Sequence, residues 1–179
     1  MTRQLCLVRH GPPARTDLCY GWTDVALAEP PEQTALTLQG QVPAWALNPE
    51  TPSVSSPSLR CSKLAEALAM GRTVQVEPRL REVHFGAWEG QPWSDISRLA
   101  IDDWARDPFG FQFPEGESVP DFIERCRSAL HDLPEQTLVI THAGVIRTFL
   151  HLCHQLPLAE AYARRVPFGS VQWLSHGPS

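Results

Sequence analysis

The sequence lacks the long apolar run, about 18 consecutive residues, that a membrane-spanning helix needs. It also lacks runs of like charge, and its net charge of −5 argues against binding to nucleic acid or to an anionic membrane surface. The apolar run at Leu5–Val8 is far too short for a secretion signal. We therefore expect a cytoplasmic protein that binds neither nucleic acid nor membrane.

The sequence lacks any regular spacing of its cysteines, which are scattered along the chain. The five cysteines are an odd number, and no two of them form a Cys-x-x-Cys pair. A disulfide framework and a structural zinc site are therefore poorly supported, and reduced thiols are expected. Internal repeats and low-complexity tracts are missing too. With 179 residues, 42% of them apolar and 20% charged, the chain is predicted to form a single domain over residues 1–179.

Short apolar runs alternate along the chain with stretches of helical apolar spacing. The predicted strands are Leu5–Val8, Val54–Ser56, Thr73–Val76, Leu138–Thr141 and Val171–Leu174. The predicted helices run from an N-cap at Thr37 to Leu47, and over Ser58–Met70, Trp93–Arg106, Ser118–Leu130, Val145–His154 and Leu158–Arg165. This alternation predicts an α/β fold, a three-layer α/β/α sandwich with a mainly parallel central sheet.

Two of the predicted strands end in similar polar residues. The first runs into Arg9, His10 and Gly11, and the fourth runs into His142. Ligands bind at the carboxyl ends of strands in such sheets, so we expect both imidazoles at one edge, with Arg60 arriving from the following helix. Guanidinium groups suit phosphate, and Gly11 lets a ligand approach the backbone. Two histidines without a third ligand make a weak zinc site, so no metal is predicted.

The residues at this edge favour phosphoryl transfer. Histidine can act as a nucleophile, and positive groups can neutralise the transferring phosphoryl group. The leaving alkoxide also needs a proton. Glu82 lies in a loop beside apolar residues, and we expect it to supply that proton in preference to the nearby acids Glu77, Glu89 and Asp95.

Five motifs occur here in the order found in the histidine phosphatase superfamily, the phosphoglycerate-mutase-like family, which this chain resembles. The motifs are Leu-Val-Arg-His-Gly, Ser-Ser-Pro-x-x-Arg, Leu-Arg-Glu-x-x-Phe-Gly-x-Trp-Glu-Gly, Pro-x-Gly-Glu-Ser and Thr-His-Ala-Gly-Val-Ile-Arg, spanning residues 5–147. The resemblance implies that His10 is the phosphorylated nucleophile and Glu82 the proton donor. It implies that Arg9, Arg60 and His142 bind phosphate, without a metal or an organic cofactor.

The chain departs from the family pattern directly after His10. The family often has Arg-His-Gly-Glu-Thr with an asparagine shortly after, whereas this chain has Pro12 and Pro13 there and Thr16 near the asparagine position. We expect Thr16 to donate to phosphate in place of the asparagine. Gly11 and Ala143, which adjoin the two histidines, are expected to contact the substrate.

The segment Cys19–Val25 resembles a Cys-Tyr-Gly-x-x-Asp-Val/Leu segment found in a branch of the α-ribazole phosphatases of cobalamin synthesis. This resemblance implies α-ribazole 5′-phosphate as substrate, with Tyr20 and Gly21 in the substrate site. Trp22 is open to two interpretations, a substrate-facing aromatic residue or a core residue.

Two other functions fit the sequence. One is another enzyme of the same fold: a phosphatase acting broadly on small molecules or on phosphoproteins, or a phosphoglycerate mutase. The other is a phosphate-binding module that has lost catalysis. The presence of Pro12 and Pro13 in place of the family's Glu-Thr supports this alternative. In each case the expected partner is a phosphorylated molecule, and the protein is expected to be a monomer or a homodimer.

Overall fold

A computed structural model describes residues 3–176, with a five-stranded sheet at their centre. The strands are β1 (Arg3–Arg9), β2 (Ser53–Ser55), β3 (Val74–Val76), β4 (Gln136–Thr141) and β5 (Val171–His176). Their order across the sheet is β3-β2-β4-β1-β5. All neighbours pair in parallel except β1 and β5, which are antiparallel. The predicted mainly parallel sheet is confirmed.

Helices cover both faces of the sheet. They are α1 (Pro31–Leu38), α2 (Leu59–Ala69), α3 (Arg98–Arg106), α4 (Val119–Asp132), α5 (Ala143–His154) and α6 (Leu158–Ala163). Leu5 and Leu7 of β1 pack in one apolar cluster with residues of α4 and α5, while Cys6 and Val8 pack with residues of α1 and α2. Because alternate residues of a strand point to opposite faces, an uninterrupted apolar strand suits a sheet covered on both sides. The predicted three-layer sandwich is therefore confirmed.

A third apolar cluster lies apart from these two and is rich in aromatic rings. Trp88 and Phe113 are buried in it, and Phe85, Trp93 and Trp104 pack around them. Edge-to-face pairs dominate, for example Phe85 on Phe113 with ring centroids 4.8 Å apart. Phe85 and Trp93 continue from this cluster into the wall of the cavity described below.

The prediction of one helix from Thr37 to Leu47, kinked at Pro43, is wrong in its start and in its continuity, although helical structure does end at Leu47. The chain is helical from Pro31 to Leu38, and a separate 3₁₀ helix covers Ala44–Leu47. Proline is preorganised for the first helical position, where no backbone N–H is needed, so Pro31 starts the helix earlier than a Thr37 cap would. Pro43 then separates the two helical segments.

The helix predicted over Trp93–Arg106 is wrong in its first turn. Helix α3 begins only at Arg98, and the residues before it form turns and loop contacts: the backbone N–H of Trp93 donates to the carbonyl of Asp17, and that of Asp95 closes a turn onto Pro92. Leu99 in the first turn of α3 is 77% exposed, so it takes no part in the apolar packing of this helix. Residues before α3 therefore serve the loop contacts of the site rather than helix packing.

The remaining elements lie close to their predicted limits. Ser118 caps α4 by accepting from the backbone N–H of Asp121 at 3.1 Å, as predicted. Helix α5 begins at Ala143, two residues earlier than expected, directly after His142. Among residues 3–176, the helices are too short or too polar to cross a membrane.

Candidate active site

The register of the sheet places the two histidines side by side. Arg9 of β1 pairs with Thr141 of β4, so the next residues, His10 and His142, leave the sheet at the same edge. Their ring centroids are 5.3 Å apart. The expectation that the two strand ends meet is therefore confirmed, and it follows from parallel pairing at a matched register.

The ring of His10 is buried and held in one tautomer. Its Nδ1 lies 2.8 Å from the carbonyl oxygen of Gly11, which can only accept, so Nδ1 carries the proton and Nε2 is the basic nitrogen. Burial and the neighbouring Arg60 cation lower the pKa of His10 to about 3. The imidazole is therefore neutral at physiological pH, which is the form that a nucleophile needs.

His142 is likewise buried and neutral. An Arg60 guanidinium nitrogen donates to its Nδ1 at 3.3 Å, so its Nε2 carries the proton and donates to the hydroxyl of Ser56 at 2.8 Å. Ser56 reaches this place because β2 pairs in parallel with β4 and its backbone N–H donates to Ile140. Burial, followed by the charge of Arg60, holds the pKa of His142 well below its ordinary value.

Arg60, in the first turn of α2, is almost fully buried, with 1% of its surface exposed. Its guanidinium donates to the carbonyls of Gly21 at 2.6 Å and Thr23 at 3.0 Å. The same group lies 5.1 Å from the ring centroid of Tyr20. A guanidinium held at several points keeps one orientation, so Arg60 presents a fixed positive charge to the two histidines.

Arg9 contributes the second cation from the end of β1. Its guanidinium stacks on the ring of Phe168, 3.6 Å from the centroid, and donates to the carbonyl of Val166. The segment before β5 thereby fixes Arg9. That segment also holds the backbone of His10, whose carbonyl accepts from Gly169 at 2.9 Å.

Glu82 is anchored to the amino terminus of α5. Its Oε2 accepts from the backbone N–H of Gly144 at 2.9 Å, and its Oε1 accepts from its neighbour Val83 at 3.1 Å. A side chain at Gly144 would overlap the carboxyl group, so glycine is required for this approach. The amino terminus of a helix attracts negative charge, which suits a bound phosphate beside this carboxyl group.

These side chains line one cavity of about 300 Å³. Its walls contain the following predicted residues: Arg9, His10, Thr16, Tyr20, Arg60, Glu82, His142 and Ala143. Gly11 and Gly21 are not in this lining but hold its members, Gly11 through His10 and Gly21 through Arg60. In the described part of the chain, no group of three or more His, Cys, Asp or Glu side chains is arranged to hold a metal ion.

Trp22 takes neither of the two places considered for it. Its ring is 41% exposed, so it is not a core residue, and it is not among the residues that line this cavity. Its indole Nε1 donates to the backbone carbonyl of Glu82 at 2.9 Å, and its ring stacks on His84. Trp22 therefore connects the loop that holds Arg60 to the segment that carries Glu82.

The two prolines after His10 shape the loop that follows. The carbonyl of Pro12 accepts from the backbone N–H of Ala28 at 2.9 Å, and Pro13 forms a bridge with Leu27. The loop therefore folds back on itself while Thr16 reaches the mouth of the cavity. The departure from the family pattern is compatible with the cavity described here.

The sequence interpretation missed the role of Glu89. Its carboxylate accepts from the backbone N–H groups of Gly21, Trp22 and Thr23, each at 3.0 to 3.1 Å, and from that of Phe85 at 3.1 Å. Burial alone would raise the pKa of Glu89, but these N–H donors outweigh it and lower the pKa. The Trp-Glu-Gly motif contained the signal, although spacing alone could not show its partners.

Replacing Glu89 with glutamine is expected to lower kcat/KM by about 10- to 100-fold, because small displacements of catalytic groups are costly. Glutamine loses one acceptor oxygen, and its amide group repels the N–H donors of Gly21 and Trp22. Arg60 and Glu82 both depend on this loop. Phosphate release should be measured well below the melting temperature, with the exposed Glu66→Gln as control. An effect confined to Tm, with kcat/KM within twofold, would show that Glu89 acts only on stability.

Arg147 is a further cation that was not among the predicted site residues. It lines the cavity, and its Nε donates to the carbonyl of Arg164 at 3.0 Å. It is the last residue of the Thr-His-Ala-Gly-Val-Ile-Arg motif, one turn along α5 from Ala143. The helix period places the two residues on one side of α5, which is the signal that could have identified it.

Stability should fall as the pH is lowered from 6.5, the ordinary pKa of His10. Below that pH His10 becomes protonated in the unfolded chain, whereas His10 in the folded protein stays neutral until about pH 3. Each such histidine contributes a slope of about 1.4 kcal/mol per pH unit inside this window. Urea unfolding between about pH 7 and about pH 5, where ordinary carboxyl groups remain ionised, measures it.

A His10→Asn variant should show a smaller slope than the wild type, whereas His154→Ala should leave it unchanged because the side chain of His154 is exposed. If the free energy of unfolding changes equally with pH in all three proteins, His10 does not stay neutral in the folded state.

Comparison with protein families identifies the group to which this site belongs. The model described as "Histidine phosphatase superfamily (branch 1)" matches residues 5–179. The chain belongs to the histidine phosphatase superfamily. Members of this superfamily are phosphatases and mutases, which agrees with a cavity built from two histidines and several arginines.

Solved structures and curated relatives agree with this assignment. A crystal structure of a phosphoglycerate mutase from Thermus thermophilus is 34% identical, with a TM-score of 0.72, and the match covers 96% of this chain and 92% of that one. A candidate α-ribazole-5′-phosphate phosphatase from Escherichia coli has a TM-score of 0.83 at 22% identity, covering 97% and 90% of the two chains. The second likeness concerns the fold alone.

Among curated proteins, a candidate phosphoglycerate mutase of Erwinia tasmaniensis is 28% identical over 197 residues, covering 97% of this chain and 89% of that protein. Other curated relatives are matched only in part. The chain spans 26% of a 6-phosphofructo-2-kinase/fructose-2,6-bisphosphatase of Caenorhabditis elegans and 53% of a candidate phosphoserine phosphatase of Hydrogenobacter thermophilus.

Proposed function

We propose that this protein is a phosphomonoesterase that works through a phosphohistidine at His10. The observation that carries the proposal is the state of His10, which is neutral, buried and fixed with Nε2 as its basic nitrogen. It lies beside the cations Arg9 and Arg60, each of which has a buried Nε without a hydrogen-bond partner among residues 3–176. A buried donor of this kind favours an anionic ligand, because leaving it unpaired is costly.

In the first step, Nε2 of His10 attacks the phosphorus atom of the ester. The N–P bond forms as the P–O bond to the alcohol breaks, and Glu82 gives its proton to the departing oxygen. Arg9 and Arg60 neutralise the charge on the phosphoryl oxygens. His142 lines the same cavity, and its Nε2–H can exchange its bond to Ser56 for one to a phosphoryl oxygen.

In the second step, water attacks the phosphorus atom of the phosphoenzyme. Glu82, now a carboxylate, accepts a proton from that water, the N–P bond breaks, and inorganic phosphate leaves. The lone pair returns to Nε2, so both His10 and Glu82 end in the states in which they began. Over the cycle, only His10 and Glu82 form bonds or exchange protons, and one water molecule is consumed.

The proposed substrate is α-ribazole 5′-phosphate. Support comes from the segment Cys19–Val25, which resembles that of α-ribazole phosphatases. Tyr20 of this segment lines the cavity, and Asp24 accepts from the backbone N–H of Leu59 at 2.8 Å, directly before Arg60. Through Tyr20 the segment faces the proposed phosphate site, and through Asp24 it supports the turn that carries Arg60. The substrate preference itself has to be measured.

Phosphate release from α-ribazole 5′-phosphate should be compared with release from sugar phosphates, nucleotides and phosphoglycerates at equal concentration. We expect α-ribazole 5′-phosphate to lead in kcat/KM by about tenfold or more, an advantage of about 1.4 kcal/mol. Broad and shallow turnover would overturn the substrate proposal and leave the His10 chemistry intact. Binding of vanadate without turnover of any ester would favour a binding module.

A mutase is the second candidate, because the Thermus thermophilus and Erwinia tasmaniensis relatives are described as mutases or candidate mutases. A mutase transfers the phosphoryl group of His10 to a second hydroxyl rather than to water. Conversion of 3-phosphoglycerate to 2-phosphoglycerate, stimulated by the bisphosphorylated compound and faster than phosphate release, would establish it.

A further inference from the structure

Beside the catalytic cavity lies a second one of about 310 Å³, walled largely by aromatic side chains. We propose that it binds the alcohol portion of the substrate, and that this alcohol carries a flat, apolar aromatic ring. We call it the ring cavity. It is lined by Glu82, Val83, Phe85, Trp93, Trp104, Pro108, Phe109, Phe113, Val119, Phe122, Gly144, Arg147 and Tyr162. The proposal rests on the proposed function, since it assigns the leaving group of that reaction.

The two cavities are adjacent. Glu82, Phe85, Trp93 and Arg147 line both of them. Because Glu82 protonates the leaving oxygen, the first atoms of the alcohol must lie next to its carboxyl group. The ring cavity begins at that same carboxyl group, so it receives whatever the oxygen carries.

The walls of the ring cavity fit a planar ring. Trp93 and Trp104 are stacked with an interplanar angle of 13° and centroids 6.1 Å apart. Phe109 and Tyr162 meet edge to face at 5.5 Å. Aromatic faces and edges attract further rings in offset or edge-to-face arrangements. At about 310 Å³ the space lies at the lower end of small-molecule sites, which suits one ring system.

The polar groups in the ring cavity are few and already engaged. The hydroxyl of Tyr162 bonds to Thr148 at 2.8 Å, and Thr148 in turn donates to the carbonyl of Gly144. Glu82 and Arg147 lie where the ring cavity meets the catalytic one. A sugar with many free hydroxyl groups would lose hydrogen bonds to water here without replacing them. The lining therefore disfavours simple sugar phosphates and favours an apolar ring.

A series of alkyl monoesters with alcohols of similar acidity tests this assignment without changing the intrinsic reactivity of the ester. The series consists of ethyl phosphate, 2-phenylethyl phosphate and 2-(2-naphthyl)ethyl phosphate. Burial of an aromatic ring should raise kcat/KM for the naphthyl ester about 10- to 100-fold above that for ethyl phosphate. In α-ribazole 5′-phosphate the ribose separates the leaving oxygen from the benzimidazole, and the benzimidazole is the part that the ring cavity would take.

The matched variants are Phe109→Ala, which removes a wall of the ring cavity, and Leu99→Ala, which removes an exposed side chain of nearby α3. Phe109→Ala should reduce the preference for the naphthyl ester at least severalfold and leave kcat/KM for ethyl phosphate close to that of the wild type. Leu99→Ala should change neither. If Phe109→Ala lowers stability too far, Phe109→Leu, which removes the ring but keeps most of the volume, replaces it and should also reduce the preference.

The failures of the two proposals are distinguishable. Equal kcat/KM for all three esters, with turnover that still requires His10, would overturn the ring cavity as the alcohol site and leave the phosphatase intact. If no ester is hydrolysed, the proposed reaction is overturned. Calorimetric measurement of the binding of the same esters then tests the ring cavity on its own. Tighter binding of the naphthyl ester than of ethyl phosphate, lost in Phe109→Ala, would support the ring cavity, and equal binding would overturn it.

Discussion

Replacing His10 with alanine is expected to lower kcat/KM for every phosphomonoester by about 10⁴-fold or more, since loss of a covalent nucleophile removes the whole pathway. The size of the effect follows from the position of Nε2, the basic nitrogen of a ring whose other nitrogen is bound to the carbonyl of Gly11. No other histidine among residues 3–176 lines the catalytic cavity except His142, whose two nitrogens bond to Arg60 and Ser56.

A labelled substrate quenched during turnover should leave a phosphoenzyme that is stable in alkali and labile in acid, as a phosphoramidate is. The wild type should show this label and His10→Ala should not. His154→Ala is the control, because His154 is exposed at the far end of α5. Retention of label or of near-wild-type activity in His10→Ala would place the nucleophile elsewhere.

Replacing Glu82 with glutamine is expected to reduce kcat about 10²- to 10⁴-fold for alkyl esters, the usual contribution of a general acid. Glutamine has nearly the shape of glutamate and retains an oxygen that can accept from the N–H of Gly144, so the site should keep its form. For 4-nitrophenyl phosphate, whose leaving group needs little protonation, the loss in forming the phosphoenzyme should be much smaller. Comparing the loss of activity for the two substrates separates the effect of proton donation from any effect of the substitution on structure.

Stopped-flow release of 4-nitrophenol and steady-state hydrolysis of ethyl phosphate measure the two losses. Glu124→Gln serves as control, because the side chain of Glu124 is 73% exposed on α4. If both substrates lose activity equally, Glu82 acts by holding the amino terminus of α5 rather than by giving a proton. Other acids near the motif, such as Glu89, would then need testing.

Glu89 and Trp22 connect the loop that holds Arg60 to the segment that carries Glu82. Glu89 holds the N–H groups of the loop at Gly21–Thr23, while Arg60 holds carbonyls of the same loop. Trp22 then reaches the carbonyl of Glu82. Arg60, the proposed phosphate-binding cation, and Glu82, the proposed proton donor, therefore share one support, which is why the Glu89→Gln effect should exceed that of an ordinary surface change.

Part of this protein could be predicted from the sequence because the relevant signals are local. The apolar run before Arg9 and the one before His142 mark strands whose ends carry the chemistry, and parallel pairing brings such ends together. The helix at Ser118 was predictable for the same reason, since a cap and its partner lie three residues apart. Each of these signals lies within a few residues of the structure that it specifies.

By itself, then, the sequence determined the sandwich fold, the edge of the sheet that carries the site, and the five side chains expected in the phosphate site. Only the tertiary structure decided the partners of Glu89 and the ring cavity beside Glu82. The reason is distance along the chain. Glu89 meets Gly21 across 68 residues, and the ring cavity joins side chains from positions 82 to 162. Such contacts depend on how helices and loops pack, which local patterns do not specify.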